Sequence, residues 1–219
     1  MFLAEKRHIA ITNDLDGVHV DAPVPFVTLR KLVLRKYRLP EESFEVIPYA
    51  SPSGVVGRSI EAITALTHRN RTINLEGIPG LQMLRETARD FHRHATFMAL
   101  SGRVKPTHEV TYRELGPTYN EFFTRWLLNE GNHSAEWKEY QARELTKEGF
   151  SVVHLEDDLN PALRMARVEN VLVYLFSNLS NHPKLLNWAG IELPTNVISV
   201  NNFEAVNEDF RKRLLLGLV

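Results

Sequence analysis

Cysteine is absent from this 219-residue chain, which removes disulfides, thiolate metal sites and cysteine nucleophiles together. Excess charge of one sign is missing too. Lys and Arg number 26 against 27 Asp and Glu, a formal net charge of -1, and no long basic run occurs. The sequence therefore carries no electrostatic footprint for a nucleic-acid backbone or an anionic membrane, and any phosphate binding has to be local. Long apolar runs are lacking as well. No stretch approaches the roughly 18 apolar residues that suggest a membrane span, and "MFLAEKRHIAIT" has no signal-peptide apolar centre. The expectation is a soluble, cytoplasmic protein.

What is present is ordinary globular composition, 43% hydrophobic and 24% charged, enough for a sizeable core. The length falls between one simple domain and two full ones, which predicts one core domain with an inserted subdomain. Short apolar runs at 9–12, 95–100, 122–128, 151–155 and 171–176 are rich in β-branched and aromatic residues, as suits strands covered on both faces. They alternate with helical patterns. The reading is an α/β, Rossmann-like, mostly parallel three-layer core.

Between 80 and 93, Leu81, Leu84, Ala88 and Phe91 share one helical face. Ser134 is placed to cap a helix running to Glu148, with Gly149 ending it, and Asn160 before Pro161 reads as an N-cap with proline in the first turn. A closing helix over 207–219 is expected to pack on the core. The segment 21–74 differs: it offers one helix with Phe26, Leu29, Val33 and Tyr37 on one side, the loop "YASPSGVVG", and a second helix with Ile60, Ile63 and Leu66. No buried-strand run lies inside it. The division read here is a core of 1–20 and 75–219 with a helical insertion at 21–74.

In an open parallel sheet, functional groups gather at the carboxyl ends of the strands. The first run ends in "NDLDG", with Asp14, Asp16 and Gly17; the second in "LSGR", with Ser101 and Gly102. After the third, "NEGNHSAEWK" brings Lys138 into the first turn of a helix, and the fourth ends in Glu156, Asp157 and Asp158. Each element taken alone has a plainer reading as a turn, a cap or a solvated helix start. Their joint order changes that. Carboxylates converging at strand ends repel, a hard divalent cation relieves the repulsion, and a hydroxyl with an ammonium completes the neutralisation of a transferring phosphoryl group. His92 and His94 carry no third ligand and read as a solvated helix end.

"DLDGV" after an apolar strand, "FMALSGR", a lysine at a helix start and "VVHLEDD" together resemble the four ordered motifs of the haloacid dehalogenase-like superfamily, over roughly residues 8–20 and 75–200. An acid at position 16 places the likeness in the phosphatase branch. The resemblance implies Asp14 as nucleophile forming an aspartyl-phosphate and Asp16 as acid and base, its carbonyl on magnesium. It implies Ser101, Gly102 and Lys138 at the phosphate, and Asp14, Asp16, Asp157 and Asp158 around Mg2+. It further implies that the insertion is a small helical cap, with Arg58, Arg69 and Arg71 as candidate contacts for which a surface role is favoured. The expected activity is hydrolysis of small phosphorylated metabolites, with no nucleic-acid or membrane partner. A phosphomutase and a non-catalytic binding protein of the same fold stay as alternatives, while the order of acids argues against a receiver domain. Two positions depart from the commonest pattern: Asn13 stands where an apolar residue is usual, and Glu156 where many members have glycine. That glutamate either reshapes the metal site or points away from it. Lys147, in the same helix as Lys138 but about 13 Å further along, is the less favoured phosphate lysine.

Overall fold

The computed structural model describes residues 8–20, 73–74, 76–130, 133–177, 181, 183–188 and 190–219. The helices expected within 21–72, and Arg58, Arg69 and Arg71, lie outside the described residues. Six strands form one parallel sheet: β1 (His8–Asn13), β2 (Ala95–Val104), β3 (Phe123–Asn129), β4 (Phe150–Glu156), β5 (Val171–Phe176) and β6 (Val197–Val200). Their spatial order is β3-β2-β1-β4-β5-β6, so the chain crosses from one edge back to the middle between β3 and β4.

Alternation along the strands builds two cores. Ile9 and Ile11 of β1, Phe97 and Ala99 of β2, and Val153 and Leu155 of β4 face one layer. That layer holds α1 (Gly77–Asp90), α2 (His108–Tyr119) and α6 (Phe203–Leu216), which contribute Leu84, Tyr119 and Phe210 among others. Ala10, Met98, Leu100 and Val152 face the other layer, against Trp137, Ala142 and Leu145 of α3 (Ser134–Lys147) and Ala162 of α4 (Leu159–Met165). The short α5 (Pro183–Trp188) adds Leu186 to that side. This is the three-layer α/β core expected. Among the described residues no helix is long and apolar enough to cross a membrane.

Several boundaries differ from the sequence reading. Helix α1 begins three residues earlier than expected and ends at Asp90, because His92 takes a positive φ of 53° that breaks the helix. Ser134 is the first helical residue of α3 rather than its cap, which is His133 in an extended conformation. Helix α4 starts at Leu159 after extended Asp158, so Asn160 is not the cap and Pro161 falls third. A proline there removes only an N–H that has no intrahelical partner. Helix α2 is masked in the sequence by Gly116 and Pro117 near its end, and β6 is a four-residue run too short to show a pattern. In α6 Phe210 and Leu214 pack on the core as expected, whereas Leu215 and Leu216, and Leu218 beyond the helix, are exposed.

The chain leaves the core after Val20 and returns at Ile73, and these two residues form an antiparallel bridge. Asn74 reinforces the stem: its backbone N–H donates to the His19 carbonyl at 2.8 Å and its side-chain amide to the Val18 carbonyl at 3.0 Å. The core chain thus ends at Val20 and resumes at Ile73 at one place, just beyond the carboxyl end of β1.

Candidate active site

The crossover between β3 and β4 makes β1 and β4 neighbours whose connections run to opposite sides, opening a crevice at their carboxyl ends. Asp14 follows β1 there, and its backbone N–H donates to the Leu155 carbonyl of β4 at 2.8 Å. Glu156 ends β4. Both side chains are buried, Asp14 at 5% exposure and Glu156 at 0%.

From α3, Lys138 reaches between them. Its Nζ donates to Asp14 Oδ2 and to Glu156 Oε2, each at 2.7 Å. The other Asp14 oxygen, Oδ1, accepts from the Leu15 backbone N–H at 2.8 Å. Burial pushes the Asp14 carboxyl up to about 7, with Lys138 opposing and Glu156 adding to the rise. Burial also disfavours charge on Glu156, but Lys138 and His154 outweigh it and hold that carboxyl below its usual range. Lys138 is held above its usual range because the two carboxylates outweigh its desolvation. The result is one ammonium shared by two acids, of which Glu156 is the more readily ionised. Lys147 lies on the surface, paired with Glu144 at 2.7 Å, so Lys138 alone of the two touches Asp14.

The acidic turn after β4 is shaped by Glu156. Its Oε1 accepts from the backbone N–H groups of Asp157 at 3.2 Å and Asp158 at 3.1 Å. Oxygens of Asp14, Glu156 and Asp157 lie within 4.8 Å of one another. Burial, followed by Asp158, Asp14 and Glu156, raises the Asp157 carboxyl well above its ordinary range, with Lys138 opposing the rise. Gly17 makes this approach possible. Its φ is +79°, and a Cβ there would stand 1.9 Å from Asp157 Oδ2. Hard oxygen donors gathered in this way suit a divalent cation such as magnesium. Asn181 closes the turn from behind, donating to the Asp157 carbonyl at 2.6 Å and the Phe176 carbonyl at 2.9 Å.

Strand β2 runs past the expected end at Leu100 and carries Ser101, Gly102 and Arg103 inside it. Ser101 is buried, and its Oγ accepts weakly from the Arg103 backbone N–H at 3.4 Å. Gly102 lets the start of α3 close on the strand, since a Cβ would meet Ser134 Oγ at 2.0 Å. Arg103 turns back to Asp16 and binds both its oxygens, at 2.8 and 2.9 Å.

The structure therefore gathers Asp14, Lys138 and Asp157 in one cluster, places Asp158 in the same turn, and sets Asp16 on Arg103 at its edge. Three residues of this network were not expected from the sequence: Arg103, His154 and the structural part of Asn13. The last spends its amide on the Ile11 and Met98 carbonyls and accepts from His19 Nε2 at 3.2 Å, so it stitches β1 to β2 and to the following turn. The available signal was a polar residue inside an apolar run for His154 and just beyond one for Asn13 and Arg103.

No protein-family model matches the chain, and no curated protein does. Solved structures do. A haloacid dehalogenase-like family hydrolase from Streptococcus pneumoniae superposes with a TM-score of 0.56 at 13% identity, covering 92% of this chain and 98% of that one. A protein named as a phosphoglycolate phosphatase, from Lactobacillus delbrueckii subsp. bulgaricus, gives 0.55 at 14% identity over 94% and 98%. Protein Tyrosine Kinase A of Mycobacterium tuberculosis gives 0.53 at 13% over 94% and 99%. Near-complete coverage in both directions, with an unbroken parallel sheet in the same order as a Rossmann-like core, shows that the chain has the haloacid dehalogenase-like fold.

Proposed function

We propose that this protein is a magnesium-dependent phosphohydrolase of small phosphorylated metabolites, working through an aspartyl-phosphate on Asp14. The observation that carries the reading is the position of Asp14: buried at the crossover, its two oxygens fixed by Leu15 N–H and Lys138, and a second acid, Asp157, within reach of the same cation. Hydrolase and phosphatase names among structures of the same fold support it.

In this reading an Asp14 oxygen attacks phosphorus, an O–P bond forms, and the bond to the leaving oxygen breaks. Asp16, two residues on, is ionised while both its oxygens accept from Arg103; released from that fork and protonated, it gives that oxygen a proton and then takes one from the water that cleaves the acyl phosphate. Lys138 holds the Asp14 carboxylate and the phosphoryl charge, and the Ser101 hydroxyl and the backbone at Gly102 meet the phosphoryl oxygens. When bound, magnesium supplies positive charge beside those oxygens. Asp14, Asp157, Asp158 and the Asp16 carbonyl are the groups that would hold it. Residues 21–74, whose stem rises beside the site, would act as the cap that excludes water and selects the substrate.

The test is phosphate release from an aryl phosphate, with and without magnesium, by the wild type and Asp14→Asn. Metal-dependent release by the wild type that vanishes in the variant is expected. Release that persists in folded Asp14→Asn, or no release by the wild type from any of a panel of aryl and metabolite phosphates, overturns the reading.

A further inference from the structure

Beneath the crevice runs a continuous buried ladder of polar side chains that the expected catalytic set leaves unexplained. Thr12 Oγ1 lies 2.9 Å from His154 Nδ1, His154 Nε2 lies 2.9 Å from Glu156 Oε2, and Glu156 Oε2 lies 2.7 Å from Lys138 Nζ. Thr12, His154 and Glu156 are each 0% exposed. Thr12 and His154 are register partners across β1 and β4, and Glu156 is two residues further on, hence on the same face. That face is otherwise apolar, lined by Ala10, Val152 and Trp137.

An imidazole in such a layer is costly unless both ring nitrogens are satisfied, and here both are. Burial holds His154 below its ordinary pKa, so the ring is neutral. With an anionic Glu156 on one side, Nε2 carries the proton and donates it. Nδ1 then accepts from the Thr12 hydroxyl. Nδ1 also lies 3.2 Å from the Thr12 carbonyl, so Thr12 meets that nitrogen with both its hydroxyl and its backbone and fixes the ring's orientation.

The consequence falls on Glu156. Its Oε2 accepts from His154 and Lys138, and its Oε1 from the N–H groups of Asp157 and Asp158. A carboxylate offers about four acceptor positions, and these four donors occupy them. Glu156 therefore lies within the acidic cluster without an oxygen lone pair left for a cation.

We propose that His154, braced by Thr12, is a positioning residue. It fixes Glu156 at Oε2, and through it the Lys138 ammonium against Asp14, while Oε1 keeps its own hold on the Asp157 and Asp158 N–H groups, with Glu156 acting as a holder rather than a metal ligand. The activity part of this inference rests on the function proposed above. Its structural part does not.

The experiment compares the wild type with His154→Leu, His154→Gln and Thr12→Val. Three quantities are read: the NMR signal of the Lys138 ammonium, Mn2+ affinity by electron paramagnetic resonance, and kcat and KM for an aryl phosphate. In His154→Leu the ammonium signal should shift and broaden by exchange with solvent, and kcat should fall about tenfold or more, as for a misplaced catalytic group. KM and Mn2+ affinity should stay within about threefold, a change under the 1.4 kcal/mol of a factor of ten. His154→Gln, which keeps a donor for Glu156, should recover part of kcat. Thr12→Val should fall between wild type and His154→Leu, and serves if His154→Leu does not fold. An unchanged ammonium signal and unchanged kcat in a folded variant overturn the positioning role. A tenfold or greater loss of Mn2+ affinity overturns the assignment of Glu156 as a holder. If the wild type releases no phosphate, the function above fails while the ammonium and Mn2+ readings still decide this inference.

Discussion

Arg103 grips Asp16 through both carboxylate oxygens, Nε to Oδ2 at 2.9 Å and Nη2 to Oδ1 at 2.8 Å. The guanidinium is itself held in place. Its Nη1 donates to Thr111 Oγ1 at 2.9 Å, while His108 Nε2 sits 3.0 Å from the Arg103 carbonyl. Burial lowers Arg103 to about 10, which leaves it charged at neutral pH. A planar fork meeting a carboxylate in this way cannot be copied by an ammonium, because lysine offers a point charge without the paired geometry. Arg103→Lys is therefore expected to lower kcat about tenfold or more with a smaller change in KM, since the fork sets the resting position from which Asp16, read here as the acid and base, enters the reaction. Steady-state kinetics check this, and wild-type kcat in Arg103→Lys would show that the fork does not orient Asp16.

Lys138 is the only cation in contact with both Asp14 and Glu156 among the described residues. Removing it leaves two buried carboxylates uncompensated. Lys138→Met should lose about 3–5 kcal/mol of stability, the usual consequence of breaking a buried ion pair from one side. Adding Glu156→Gln removes one of the stranded charges, so the double variant should recover part of that loss, a coupling that urea unfolding of the four species measures. Additive effects would mean that the lysine and the glutamate do not share the energy their geometry suggests.

The same site shows why sequence reading succeeded where it did. Buried parallel strands are apolar for most of their length, so β1, β2, β4 and β5 announce themselves. The residues that follow such strands fall in the crevice by topology, which is how Asp14 and Asp157 could be found together. Contact is another matter. Lys138 and Asp14 are 124 positions apart, and only the packing of α3 on the sheet decides that position 138 rather than 147 meets the acid. Arg103 and His154 were harder still. Hydropathy assigns charged and polar residues to the surface, and their burial is stable here only because each is matched by a partner distant in sequence, Asp16 for one and Thr12 for the other.

His19 gives the fold a sensitivity to acid that is independent of the catalytic groups. It is fully buried among Tyr119, Phe123 and Phe203, and burial lowers its pKa from the ordinary 6.5 to about 3. In the unfolded chain the ring takes up a proton near 6.5, and in the folded chain only near 3. The neutral ring's contribution to stability is therefore complete above 6.5 and is lost progressively as pH falls toward 3, by up to about 1.4 kcal/mol per pH unit. Replacing His19 with glutamine, which can still donate to Asn13, should flatten the acid limb of stability measured by urea unfolding between pH 7 and 4. An unaltered slope would assign that limb to other groups, of which buried His154 is the first candidate.

Gly17 offers the sharpest test of the acidic turn. Its backbone lies in the left-handed region at φ +79°, where a β-carbon is strained, and that β-carbon would fall 1.9 Å from Asp157 Oδ2. Gly17→Ala has to relieve the clash by moving either the loop after β1 or the Asp157 carboxylate. The loop is pinned by the Gly17 N–H donating to the Val20 carbonyl at 2.7 Å, and the Val20 N–H donates to the Leu15 carbonyl at 2.8 Å. A loss of about 1–2 kcal/mol in stability is expected from the backbone alone. Displacement of Asp157 should weaken Mn2+ binding about tenfold or more, approaching the effect of Asp157→Asn. If Gly17→Ala is destabilised by this amount yet binds Mn2+ like the wild type, Asp157 is not the carboxylate that holds the metal, and the cation site would have to be rebuilt around Asp14 and Asp158.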